Sequence, residues 1–216
     1  AVAARCGGWL SGLWLVIAIA CPVFAETLIV PAAADNTLSE SATGAFSNGA
    51  GPAFFVGRNS QATGFRRRGL IRFDVADVLP PGVIVTRAEL RLVLNHSNPQ
   101  PIEIGLHRVL ADWGEGESAS SGGSGAPAAT GDATWLHTFY DTTFWANPGG
   151  DFAAEASAAL EVGDAGEIRW TSTPATVADV QAWLDLPDEN YGWLLIGGED
   201  TPTTAKNFSS RETEDP

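Results

Sequence analysis

Between Asp132 and Phe152 the chain gathers six aromatic side chains, Trp135, Phe139, Tyr140, Phe144, Trp145 and Phe152, among Asp132, His137, Asp141 and Asp151. Rings of this kind stack on the apolar face of a pyranose, while nearby carboxylates fix its hydroxyls. Trp135, Tyr140 and Trp145, with Asp132 and Asp141, have the composition of a carbohydrate site. Trp113, beside a Gly/Ser-rich segment, is a further candidate. Taken singly, each ring belongs in a core, because Trp and Phe are mostly buried in domains of this size. Taken together, the cluster predicts at least one exposed ring. The discriminating feature is whether two or more of Trp113, Trp135, Tyr140 and Trp145 share one exposed groove. Trp170, Trp183 and Trp193 lie within regular elements and are assigned to packing.

Other chemistries find less support. His96, His107 and His137 are widely spaced and form no zinc motif. Calcium takes several oxygen ligands, which acid-rich loops supply. It is the metal expected here, as a structural ion with no ligands assigned; no cofactor is required. Gly49-Ala-Gly51 lacks the third glycine and the βαβ setting of a nucleotide loop and reads as a turn. A glycosidase needs two carboxylates at a set separation, and 26 acidic residues without a motif neither support nor exclude one.

The elements that must position these residues are mostly strands. Gly69–Val75 is a compact apolar run closed by the Leu79-Pro-Pro-Gly82 turn. Ile84–Leu94 alternates, with Ala88, Leu90, Leu92 and Leu94 on one face. Ile102–Leu110 puts Ile102, Ile104 and Leu106 on one side, opposite Glu103 and His107. Alternation of period two is what a sheet with one buried face requires. Shorter strands are expected at Glu26–Val30, Ala53–Val56, Glu167–Thr171, Gly192–Ile196 and Ala205–Ser210. One helix is expected over Thr176–Leu184, with Val177, Val180, Trp183 and Leu184 inward, Asp179 and Gln181 outward, and Pro187 as its stop. Residues 114–131 are rich in Gly, Ser and Ala and predict a flexible loop within one domain.

The address is written in the first 25 residues. Arg5 supplies a positive start, Gly7–Ala20 an apolar run of 14 residues, and Val23-Phe24-Ala25 a cleavage site, so a secretory signal peptide ending at Ala25 is expected. The remaining residues 26–216 read as a single domain. Both cysteines, Cys6 and Cys21, fall in the signal, which leaves no disulfide or thiol chemistry for the secreted part. Removing it leaves 11 of the 12 basic residues and all 26 acidic ones, a net charge of −15. Such a field disfavours nucleic acid and anionic membranes and favours solubility.

Several motifs in order carry a family likeness. They run Asp35-Asn-Thr-Leu38, Phe55-Val-Gly-Arg58, Arg68-Gly-Leu-Ile-Arg-Phe-Asp74, Val85-Thr-Arg-Ala-Glu-Leu-Arg-Leu92 and His107-Arg-Val-Leu-Ala-Asp-Trp-Gly-Glu115. Val177-Ala-Asp-Val-Gln-Ala-Trp183, Asn190-Tyr-Gly-Trp-Leu-Leu195 and Phe208-Ser-Ser-Arg-Glu212 follow. The series resembles the DNRLRE-type domain of secreted bacterial proteins, related to carbohydrate-binding module family 96. The resemblance covers nearly all of residues 26–216. It implies an all-β, jelly-roll-like β-sandwich that binds polysaccharide, including acidic polymers, alone or beside other domains of a longer protein. It also implies a final strand after Ser-Arg-Glu, which this sequence does not contain.

Arg87-Ala-Glu-Leu-Arg91 is similar to a strand of jelly-roll alginate lyases, but Ala88 replaces the hydroxyl residue. Tyr140 and Tyr191 are the only tyrosines. The expectation is therefore a secreted, non-catalytic polysaccharide-binding module. A structural or adhesive module without a sugar site is the first alternative, and a polysaccharide lyase the second.

Overall fold

The structure, a computed structural model, describes residues 25–60, 65–97 and 100–213. The expected signal peptide therefore lies outside the described residues, apart from Ala25. Among the described residues no helix is long and apolar enough to cross a membrane.

Thirteen strands are described: β1 (Ala34–Ser39), β2 (Phe46–Ser47), β3 (Ala53–Arg58), β4 (Arg66–Arg72), β5 (Leu90–Ser97), β6 (Ile102–Arg108), β7 (Ala126–Pro127), β8 (His137–Phe139), β9 (Thr143–Phe144), β10 (Ala158–Val162), β11 (Gly166–Trp170), β12 (Trp193–Gly197) and β13 (Lys206–Ser209). Nine of them make one antiparallel sheet folded into a sandwich. One layer runs β1–β4–β12–β6–β10 and the other β3–β13–β5–β11. The fold is all-β and jelly-roll-like. β3 is the corner: Ala53–Val56 pair with β13, then Gly57 and Arg58 turn to pair with Arg67 and Arg66 of β4. Gly57 makes the turn at φ +113°, where a Cβ would lie 2.9 Å from the Thr204 carbonyl oxygen.

The alternation read from sequence fills the space between the layers. Leu90, Leu92 and Leu94 of β5 meet Ile102, Ile104 and Leu106 of β6, with Phe54, Trp170, Trp193 and Phe208. Helix α2 (Pro174–Asp185) closes one end and packs Trp183 against Trp193, ring centroids 4.6 Å apart. Its start is fixed by a capping box between Thr173 and Thr176 and by Pro174 in its first turn. A second, single-turn helix, α1 (Val75–Val78), was not legible in the sequence.

Four expectations need correction. β1, not Glu26–Val30, is the first strand. All six of its residues are buried, and two of its polar side chains are paired within the fold: Asn36 Nδ2 donates to Ser47 Oγ at 2.9 Å, and Thr37 Oγ1 accepts from Phe55 N at 3.0 Å. The β5 ladder starts at Leu90, because Val85 N donates to Gln181 Oε1 and Ala88 N to Ser172 Oγ rather than to a strand. β4 is shifted toward the N-terminus and leaves Phe73–Val75 outside. Asp179 points inward, since Ser157 Oγ and Trp193 Nε1 both donate to its Oδ2.

β4 is central because its two faces differ. Ile71 and Gly69 face the sandwich core, and a Cβ on Gly69 would lie 2.7 Å from the Phe54 ring. Gly69→Ala is expected to lower stability by about 1–3 kcal/mol through overpacking. Gly122→Ala, which opens into free space, is expected to change it by less than about 0.5 kcal/mol. Urea unfolding of both variants checks this.

Candidate functional site

The other face of β4 presents Arg66, Arg68, Leu70 and Arg72. Leu70, with Leu38 of β1 and Leu194 of β12, forms an apolar outer face. The segment from Val109 to Phe152 lies over it and contributes Trp113, Trp135 and Trp145 to a second core. The arginines sit among these rings. Arg66 and Arg68 each place a guanidinium 4.9 Å from the Trp135 ring centre, Arg68 is 5.3 Å from Phe152, and Arg72 is 5.5 Å from Trp113.

The expected carbohydrate platform is therefore not formed by these tryptophans. Trp113, Trp135 and Trp145 are 2%, 4% and 5% exposed. Trp113 Nε1 donates to the Tyr191 carbonyl at 2.8 Å, and Trp145 Nε1 to the Thr134 carbonyl at 2.9 Å. The rings are claimed because the outer face of the sheet needs apolar cover. Tyr140 is half-buried against His137, centroids 5.1 Å apart, and Asp141 is exposed. Asp132 is wholly buried. Its carboxylate accepts from Glu117 N at 3.0 Å, from Ala129 N at 2.7 Å and from Ser118 Oγ. Those bonds close the two ends of segment 114–131 on one acceptor. Ser120 N and Ala50 N add ties to Asn48 Oδ1 and the Ser118 carbonyl. Residues 114–131 form the loop expected, mostly exposed or half-buried and tied down by these hydrogen bonds.

An open site exists elsewhere. A groove of about 660 Å³ is lined by Ser39, Glu40, Phe46, Phe65 and Arg67, with the edge of Trp135. A smaller hollow of about 280 Å³ adjoins it between Phe55, His96 and Asn207, and both are lined by Arg67 and Ser124. Phe46 and Phe65 are each 40% exposed. Phe65 is held at φ +66°, a left-handed conformation that bulky residues adopt at a cost of about 1–2 kcal/mol.

Arg67 forms the floor shared by the two hollows. It is 3% exposed, its Nε donates to the Gly123 carbonyl at 2.5 Å and its Nη1 to the Arg66 carbonyl at 2.9 Å. Glu40 acts on it only through space, being hydrogen-bonded to Arg66 at 2.7 Å. Burial pushes the Arg67 guanidinium down to about 10, so it stays charged at neutral pH. Sequence reading missed this residue. The signal was available in Arg66-Arg67-Arg68: on a strand, one of three consecutive arginines must face opposite its neighbours.

A third constellation joins distant parts of the chain. Asp35 of β1, Glu115 and Glu212 each place a carboxylate oxygen within 4.8 Å of the others. Arg211 caps Glu115 with two bonds, Nε to Oε1 at 2.6 Å and Nη2 to Oε2 at 2.7 Å, and its backbone N donates to Asp35 Oδ2 at 2.8 Å. Burial, reinforced by Glu212 and Glu115, raises the Asp35 carboxyl to about 7 despite the Arg211 hydrogen bond.

No protein-family model matches this chain, and no curated protein matches it.

With three donors converging on it, Asp132 acts on the loop rather than on a ligand. Asp132→Ala is expected to cost about 3 kcal/mol, the scale of losing a charged acceptor of several bonds. It is also expected to open residues 114–131 to limited proteolysis. An unchanged melting temperature and digestion pattern would return Asp132 to the list of ligand-binding residues.

Proposed function

We propose that this chain is a secreted, non-catalytic module that binds an acidic polysaccharide in the groove floored by Arg67. The observation that carries this reading is a buried guanidinium with no ion-pair partner among the described residues, opening into two adjoining hollows. A desolvated cation of this kind gains a charge-assisted, bidentate bond when a carboxylate arrives. Phe46 and Phe65 supply exposed rings for the apolar face of a sugar, and Ser39, Ser41 and Ser124 supply hydroxyls. A net charge of −14 over the whole chain repels a polyanion at long range. Recognition then has to be local, and added salt costs it less than it costs a basic protein. The likeness to the DNRLRE-type domain points to the same class of ligand.

A structural or adhesive module without a sugar site is the second reading, and the burial of Trp113, Trp135 and Trp145 favours it. Retention of the folded protein on immobilised neutral and acidic polysaccharides separates the two. The expected result is retention on a uronate-containing polymer and not on neutral glucans. Arg67→Gln should weaken it at least about ten-fold, a loss of roughly 1.4 kcal/mol. Phe65→Ala, an exposed change that leaves the core intact, should weaken it several-fold. Retention on none of the polymers favours the structural reading. Release of unsaturated ends absorbing in the ultraviolet would mark a lyase instead.

A further inference from the structure

The acidic triad differs from a solvated patch in one respect. Asp35 is 1% exposed, and its Oδ1 is buried without a hydrogen-bond partner; Glu212 Oε2 is likewise buried and unpartnered. A buried carboxylate oxygen that accepts nothing costs on the order of 1–3 kcal/mol or more. Two such oxygens in one cluster describe a site that lacks its electrophile. Arg211 does not fill it. Its guanidinium is spent on both oxygens of Glu115 and on Glu212 Oε1 at 3.0 Å, and only its backbone N reaches Asp35. Three carboxylates thus face a single guanidinium.

The geometry points to a divalent-cation site, for calcium, formed by Asp35, Glu115 and Glu212. The donors are all oxygen, with no histidine or cysteine, which suits a hard cation. Oxygens up to 4.8 Å apart fit two ligands at about 2.3–2.6 Å from one calcium, whereas magnesium at about 2.0–2.1 Å demands closer and more regular donors. The site shares no lining residue with the Arg67 groove. It staples three distant segments: the first strand β1, the start of the loop that follows β6, and the residues after β13.

Equilibrium dialysis of the intact protein against calcium, with thermal unfolding in calcium and in a chelator, tests this. One calcium per chain is expected. Tm should rise by about 5–10 °C at a hundred times the dissociation constant. Asp35→Asn should lose the calcium and the calcium-dependent shift together. In chelator it should melt no lower than the parent, since an amide relieves the like-charge crowding and still accepts from Arg211 N. Glu212→Gln, at a half-buried position, gives the same readout should Asp35→Asn fail to fold. No bound calcium at millimolar concentration overturns the proposal. So does calcium binding that survives both substitutions.

Discussion

Strands β4 and β12 carry apolar side chains on both faces, β1 adds Leu38 to the outer one, and this constraint dictates where much of the remaining chain must go. Ile71, Trp193 and Leu195 face the space between the two layers, while Leu38, Leu70 and Leu194 face away from it. Each leucine left in water would forfeit about 1.5–3 kcal/mol. The opposite layer of the sandwich cannot reach that side. The long connection from Val109 to Phe152 therefore serves as a second cover, and its tryptophans are consumed as core. A segment that looks in sequence like a binding surface is a cover whose tryptophans face inward, while Phe144 stays exposed.

The same face explains the arginines. Arg66, Arg68 and Arg72 alternate with Leu70 along β4 and so enter an interface that is apolar at its centre. Burying a cation there costs several kcal/mol unless it is fully paired. Arg68 meets that requirement by a bidentate contact with Glu199 at 2.7 and 3.0 Å, a bond to the Gly149 carbonyl at 2.8 Å, and stacking between Trp135 and Phe152. Lysine has neither the planar fork nor the flat face for this role. Arg67, one residue away, points to the other side of the strand; among the described residues it meets two backbone carbonyls, has no ion-pair partner and feels Glu40 only through space. The contrast between the two neighbours singles out Arg67: Arg68 is neutralised by direct contact and Arg67 is not.

What sequence disclosed and what it hid divide along physical lines. β5, β6, β11 and β13 were legible because each buries one face, β12 because it is a compact apolar run, and α2 because Pro174 and Pro187 bracket it. β1 was invisible because its partners are hydrogen bonds. Asp35, Asn36, Thr37 and Ser39 are buried on a strand that no hydrophobic pattern reveals. Asp179 was misplaced for the same reason, its inward position depending on Trp193 and Ser157. Trp113, Trp135 and Trp145 were each legible as core rings taken singly, but which surface they cover was not, since that depends on Leu38, Leu70 and Leu194 from three separate strands. The Arg67 groove gathers residues from Ser39 to Trp135 and the Asp35 cluster residues from Asp35 to Glu212, and no local spacing encodes either.

Segment 114–131 connects these two places. Near its start Glu115 belongs to the acidic triad, and just past its end Asp132 gathers Glu117 N, Ser118 Oγ and Ala129 N. Between them, the Gly123 carbonyl accepts from Arg67 Nε, and Ser124 lines both hollows. A composition of Gly, Ser and Ala offers no apolar area to hold such a loop in place, so its order depends on polar anchors. Asp132 supplies one anchor inside the cover. The triad supplies another at the edge of β1. The groove inherits its shape from both, because the carbonyl that orients the buried guanidinium sits on the span they hold. In this protein the polar residues at the ends of a low-complexity loop determine how the Gly123 carbonyl in its middle holds the guanidinium of Arg67 on β4.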